Sequence, residues 1–168
     1  MAPTLRKWTL RWFALLLGSL LLNACASSPA DTKIDFTLSI SAADNINPDF
    51  QGAPSSVVVQ VYQLTSAGNF QDALYEDLFN GNASMLGSQL ISMNNYLIDP
   101  GSNQNLETEI SADTKFIGVA VGYREINLVS WKVVQPIADD SLLDSINLFA
   151  SKGMLISIEQ NNVRVSTN

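Results

Sequence analysis

Ile34, Phe36, Leu38 and Ile40 are apolar, and the residues between them, Asp35, Thr37 and Ser39, are polar. A helix would scatter that alternation around its circumference. A strand places successive side chains on opposite faces and buries one of them. Val57-Val58-Val59-Gln60-Val61-Tyr62-Gln63-Leu64 is apolar on both faces for most of its length, which predicts a central strand covered on both sides. Further strands are expected over Leu90–Ile98, Asn105–Ile110, Phe116–Tyr123, Val129–Val134, Ile146–Ala150 and Met154–Glu159, finishing at Val163–Val165. Turn signals at Asp99-Pro100-Gly101 and Asn161-Asn162 separate some of them. The fold class is therefore all-β, a two-sheet antiparallel β-sandwich.

One segment changes period. Phe70, Leu74 and Leu78 recur at helical spacing with Ala73 on the same stripe, which predicts a short helical insertion, Phe70–Phe79, between strands 2 and 3. Asn69 is placed to cap it, Asp72 lies in its first turn, and Gly81 supplies a stop. Further on, Ile117, Val119, Val121 and Tyr123 share one strand face, and Gly118, Ala120 and Gly122 leave the other nearly bare. The Gly-x-x-x-Gly spacing belongs to a run far too short to span a membrane. A smooth face instead admits something bulky, Trp131 or the helix.

The first 24 residues have a different character. Arg6, Lys7 and Arg11 precede an apolar run of eleven residues, Trp12–Leu22. A membrane-crossing helix needs about 20 such residues, so this run is the core of a signal peptide. Leu22-Asn23-Ala24-Cys25 follows, ending on the only cysteine of the chain. It resembles the bacterial lipobox, departing from it at Asn23. The resemblance implies cleavage before Cys25 and acylation of Cys25, and two or more acyl chains make a stable anchor. Ala26 stands where an Asp would resemble an inner-membrane retention signal, so delivery to the outer membrane is expected. The organisation read from the chain is a lipoprotein signal peptide over 1–24, a lipidated N-terminus and tether over 25–32, and a single sandwich domain over 33–168. The leader removes three of nine basic residues and none of the 16 acids, so a net charge of −7 becomes −10.

That composition excludes much chemistry. There is no histidine, hence no Ser–His–Asp or Cys–His catalysis and no His-ligated metal. One cysteine leaves no internal disulfide and no thiolate cluster. An acidic domain is a poor ligand for nucleic acid, whose binding rests on neutralised phosphates. The adjacent carboxylates Glu76-Asp77 and Asp139-Asp140 lack the converging geometry and the aromatic flanks of a glycosidase site. Asn45-Ile46-Asn47-Pro48-Asp49 echoes a calcium loop but continues with Phe50 where such a loop requires Gly. No catalytic residue, cofactor, metal or small-molecule substrate is expected, and the protein is read as a non-enzyme.

What remains is a long connection, Ser41–Ser56, between the first two strands. Pro48 and Pro54 restrict its backbone and Gly52 permits a turn between them. Its one large apolar side chain, Phe50, is either an anchor for a partner's pocket or a plug returned to the domain's own core. Both readings fit the sequence.

Asn47-Pro48, Gly52-x-Pro54-Ser55 and Val57-Val58-Val59-x-Val61-Tyr62-Gln63-Leu64 resemble the TssJ family of type VI secretion outer-membrane lipoproteins. So do Phe70, Leu86-Gly87, Pro100-Gly101, Gly118-Val119-Ala120-x-Gly122-Tyr123-Arg124 and Trp131-Lys132, in that order. Members commonly show Arg where this chain has Gln60 and Lys132, so local charge contacts are expected to differ. The resemblance implies a transthyretin-like sandwich on the periplasmic face of the outer membrane, anchored there by lipid on Cys25. It also implies that the protein holds the periplasmic domain of TssM. The partner-binding loop would comprise Asp44, Asn45, Asn47, Pro48, Asp49, Phe50, Gln51, Gly52 and Pro54. The alternative is an outer-membrane lipoprotein binding module for glycan or for an assembling outer-membrane protein.

Overall fold

A computed structural model describes residues 32–80, 83–137 and 152–167. Among the described residues there are eight strands: β1 (Lys33–Ala42), β2 (Val57–Leu64), β3 (Leu90–Ile98), β4 (Asn103–Ser111), β5 (Phe116–Val121), β6 (Lys132–Pro136), β7 (Lys152–Ile158) and β8 (Val163–Thr167). They form two four-stranded sheets, ordered β4-β1-β7-β8 and β3-β2-β5-β6. The sandwich is thus as expected, with one departure: β1 runs parallel to β7, Phe36 opposite Lys152 and Ala42 opposite Ile158. The other pairings between these strands are antiparallel. The expected strand at Ile146–Ala150, like Gly81, Asp139-Asp140 and Cys25, lies outside the described residues.

The alternation in β1 does what the period requires. Phe36, Leu38 and Ile40 point into the space between the sheets, where they meet Val57, Val59, Val61, Ile117, Val119, Val121, Met154 and Ile156. β2 is apolar on both faces because it has two cores to serve. Its other face carries Tyr62 and Leu64, which pack with Phe70, Ala73, Leu78 and Leu86 in a second cluster outside the sheet. Gln63 joins the two sheets. Its side-chain oxygen accepts the Ser111 amide at 2.9 Å and the Thr114 hydroxyl at 3.1 Å, while its Nε2 donates to the Glu109 carbonyl at 3.3 Å.

The smooth face of β5 receives the helical insertion. A Cβ on Gly118 would stand 2.9 Å from the Phe70 ring, and one on Gly122 would stand 3.2 Å from Phe79. Trp131 shares the task, meeting Tyr75 edge-on at 5.3 Å, and Tyr75 stacks on Phe79 at 4.4 Å.

The insertion itself differs from the single helix expected over Phe70–Phe79. It is two short helices, α1 (Gly68–Asp72) and α2 (Tyr75–Phe79), followed by a 3-10 segment, Ser84–Gln89. Ala73 and Leu74 between them are extended, at φ −58°, ψ 135° and φ −80°, ψ 165°. Leu74 therefore leaves the buried stripe and is 66% exposed. The break has its own bonding. Asp77 reaches back to accept the Leu74 amide at 2.8 Å, which starts α2. Lys132 Nζ donates to the carbonyls of Phe70, Gln71 and Ala73, at 3.1, 2.7 and 2.6 Å, which ends α1. Burial pushes the Lys132 ammonium's pKa down, opposed by the nearby charges of Asp72 and Asp77. Asn69 is not the cap. Its side chain donates to the Met85 carbonyl at 3.1 Å, and its amide donates to Gln89 Oε1 at 2.9 Å, tying α1 to the 3-10 segment.

Candidate functional site

β1 ends at Ala42 and β2 begins at Val57, so the long connection caps one end of the sandwich. Two other connections meet it there. One joins β5 to β6 and contains a single 3-10 turn, Ile126–Leu128. The other is the β7–β8 hairpin turn at Glu159–Asn162.

The base of the first loop is locked. Ile46 is fully buried, and Asn47, only 7% exposed, takes a left-handed backbone conformation at φ 46°. Asparagine tolerates that conformation better than most residues. Its side-chain oxygen accepts the Arg124 amide at 2.8 Å, and its Nδ2 donates to the Ser56 carbonyl at 3.1 Å. Ser55 closes the other side, its hydroxyl donating to the Asn47 carbonyl at 2.6 Å and its amide to Ile46 at 3.2 Å. Asn45 bridges to the hairpin through Gln160 Oε1 at 3.0 Å. Asp44 is exposed and lies against Gly101, whose φ of 70° and missing side chain make room for it.

The tip is a second, smaller lock. Asp49 Oδ1 accepts the amides of Gln51 and Ala53 at 2.8 and 2.9 Å, and the Asp49 amide donates to the Ala53 carbonyl at 2.9 Å. Gly52 completes the turn at φ 85°, its amide on the Asp49 carbonyl at 2.9 Å. The Ala53 and Gln51 amides hold the Asp49 carboxyl below its usual pKa, helped by the Arg124 charge. Gln51, Gly52 and Pro54 are exposed, and Phe50 is 90% exposed. Of the two readings open for Phe50, the structure shows the outward one.

The structure therefore divides the expected loop residues into two groups. Asn47, Asn45 and Asp49 build the loop, and Pro48, Phe50, Gln51 and Pro54 furnish surface. Sequence reasoning missed the neighbours that complete this end. The Tyr123 ring is buried beneath the loop, its hydroxyl 2.7 Å from the Glu159 carbonyl and 2.8 Å from that of Asn162, donating to one at a time. Burial, and secondly the Glu159 charge, raise its pKa. Leu128 on the 3-10 turn is 78% exposed. A cavity of about 190 Å³ opens where the three connections meet. Pro48 walls it from the first loop, Tyr123, Leu128 and Val129 from the second, and Gln160 from the third, with Glu125 also lining it. The available signal was Leu128, an apolar residue immediately before the strand expected to begin at Val129.

Among the described residues, no group of three or more carboxylates or thiols gathers as a metal site. The site offers a rigid, partly apolar surface for recognition.

The comparisons agree with this architecture. Two solved structures share the fold: the lipoprotein TssJ1 from Pseudomonas aeruginosa, and Lip from Serratia marcescens, described as a membrane-bound component of the type VI secretion system. The first is 20% identical with a TM-score of 0.70, covering 82% of this chain and 98% of that one. The second is 21% identical with a TM-score of 0.72, covering 79% and 96%. A chain in a structure described as the TssM C-terminal domain (869-1107) from EAEC is 27% identical. Its TM-score is 0.61, with 80% of this chain and 98% of that one covered. No curated protein sequence matches. The family model described as type VI secretion lipoprotein, VasD, EvfM, TssJ, VC_A0113 matches residues 34–163, from the first core residue of β1 to the first of β8. With well over half of the chain inside that span, the chain belongs to the type VI secretion lipoprotein family.

Proposed function

We propose that the protein is an outer-membrane-anchored adaptor, fixed to the periplasmic face by acylated Cys25 and holding the periplasmic domain of TssM through the Asp44–Pro54 loop. In this reading residues 1–24 are removed as a signal peptide, 25–32 form the lipidated tether, and 33–168 form the domain. The family is a structural component of type VI secretion and not an enzyme family. Further support comes from the relative found in a structure described by its TssM domain. The observation that carries the reading is Phe50, a large apolar side chain left in water on a loop whose base and tip are both hydrogen-bonded in place. A loop ordered before contact loses little entropy on contact, and an aromatic anchor contributes most of what such interfaces gain.

Two experiments test the two halves. Cys25→Ser leaves a folded protein that no longer fractionates with the outer membrane, and continued outer-membrane residence overturns the anchor. Replacing Asn47–Gly52 with Gly and Ser abolishes capture of the TssM periplasmic domain, with a β-type circular dichroism spectrum retained. Undiminished capture moves the contact elsewhere.

A further inference from the structure

We propose that the cavity where the three connections meet is the receptor for one long basic side chain, arginine or lysine, of the protein the loop engages. This rests on the adaptor reading above and adds a second, chemically specific contact to it.

Size comes first. Pockets that enclose small molecules run from about 300 Å³ upward, whereas a 150 Å³ cavity holds something the size of benzene. At about 190 Å³ this one fits a single large side chain. Its walls come next. Pro48, Tyr123, Leu128 and Val129 form an apolar sleeve suited to an aliphatic stem, with Asn47, Gln160 and Asn161 making up its polar side. Glu125 lines it as well, and among the described residues its carboxylate has no ion pair and no side-chain hydrogen bond. The neighbouring acid, Glu159, is already paired with Arg164 at 2.9 Å. Among the described residues Arg124 makes no ion pair with Glu125, and its guanidinium hydrogen-bonds Ser55 at 3.4 Å. An apolar sleeve with one free carboxylate is complementary to a stem that carries a cation at its head.

Leu128 supports the same occupant. It stands 78% exposed at the cavity with nothing among the described residues over it, and a stem inserted between it and Pro48 would cover it. The receptor is also rigid. The Asn47–Arg124 and Asn45–Gln160 bonds, with the Tyr123 hydroxyl, hold all three connections in register before any partner arrives.

The test is calorimetric titration of the detergent-solubilised full-length lipoprotein with the TssM periplasmic domain, at low and high salt. Glu125 and Leu128 are exposed, so their variants are expected to fold. Glu125→Gln weakens binding about tenfold and flattens its salt dependence, and Glu125→Lys weakens it further by placing like charges together. Leu128→Ser weakens it severalfold without altering the salt dependence. If Glu125→Gln and Glu125→Lys bind like the parent while Phe50→Ser does not, the cavity proposal fails and the loop reading stands. If Glu125→Gln weakens binding with an unchanged salt dependence, the occupant is a neutral donor and the basic side chain is wrong. If Phe50→Ser, the loop replacement and the Glu125 variants all bind undiminished, the adaptor reading fails together with the cavity.

Discussion

Asn47→Ala removes the acceptor of the Arg124 amide and leaves alanine in a left-handed backbone. A part-buried N–H without a partner costs about 1–3 kcal/mol, and the strained φ adds to it. The expected outcome is a loss of about 2–3 kcal/mol in urea unfolding. Asp49 acts differently, because it faces solvent and braces only the tip. Its folded pKa lies below the unfolded value of 3.8, so its support is complete above that value and disappears as pH falls through the folded one. Amide exchange at Gln51 and Ala53 should be slow near neutrality and quicken in that acidic window, while the β2 amides stay protected. Exchange at the tip that ignores pH would mean the Asp49 bonds do not order it. The sequence made Asn47 and Phe50 look alike, two members of one loop. Burial separates them, and the amide that holds the buried Asn47 side chain belongs to Arg124, far along the chain.

The helical insertion shows what periodicity conveys and what it omits. Apolar spacing located the segment, and the bare face of Gly118 and Gly122 announced that something would lie on it. The break at Ala73–Leu74 was hidden because Phe70, Leu74 and Leu78 fit an unbroken helix. The counter-signal was Asp77, three residues beyond Leu74, in position to start a new helix. Two predictions belong at this level. Gly118→Ala pushes a methyl against the Phe70 ring and is expected to cost about 1–3 kcal/mol. Combined with Phe70→Leu its penalty should shrink, and strict additivity in thermal unfolding would show that the two do not touch. Lys132→Met leaves three carbonyls at the end of α1 without their cation. A loss of about 1–2 kcal/mol is expected, discounted for the side chain's partial exposure. Lys132→Arg, with a cation retained at the same place, should recover part of it.

Across the whole domain, strand faces were legible and strand partners were not. Alternation says which side chains turn inward, and it is blind to whether β1 lies beside a parallel or an antiparallel neighbour. That blindness touches function, because β1 fixes where the loop stands. The chain enters the sandwich at Lys33 and the loop leaves from Ala42, nine residues later. At about 3.3 Å per residue, the two ends of β1 are roughly 30 Å apart. The turn between β4 and β5 lies at the Lys33 end, since Lys33 pairs with Ser111. In the proposed reading the lipid on Cys25 joins the domain at the Lys33 end through residues 26–32, and that end is expected nearer the bilayer than the loop. With Cys25 acylated as proposed, a cysteine introduced at Asp113 or at Gln51 would carry the only thiol available to a fluorophore. On liposomes containing a headgroup quencher, a fluorophore at Asp113 should lose more emission than one at Gln51. Equal quenching would mean that the sandwich lies along the bilayer with the loop against it. A partner's periplasmic domain could not then reach Phe50 without lifting the domain away.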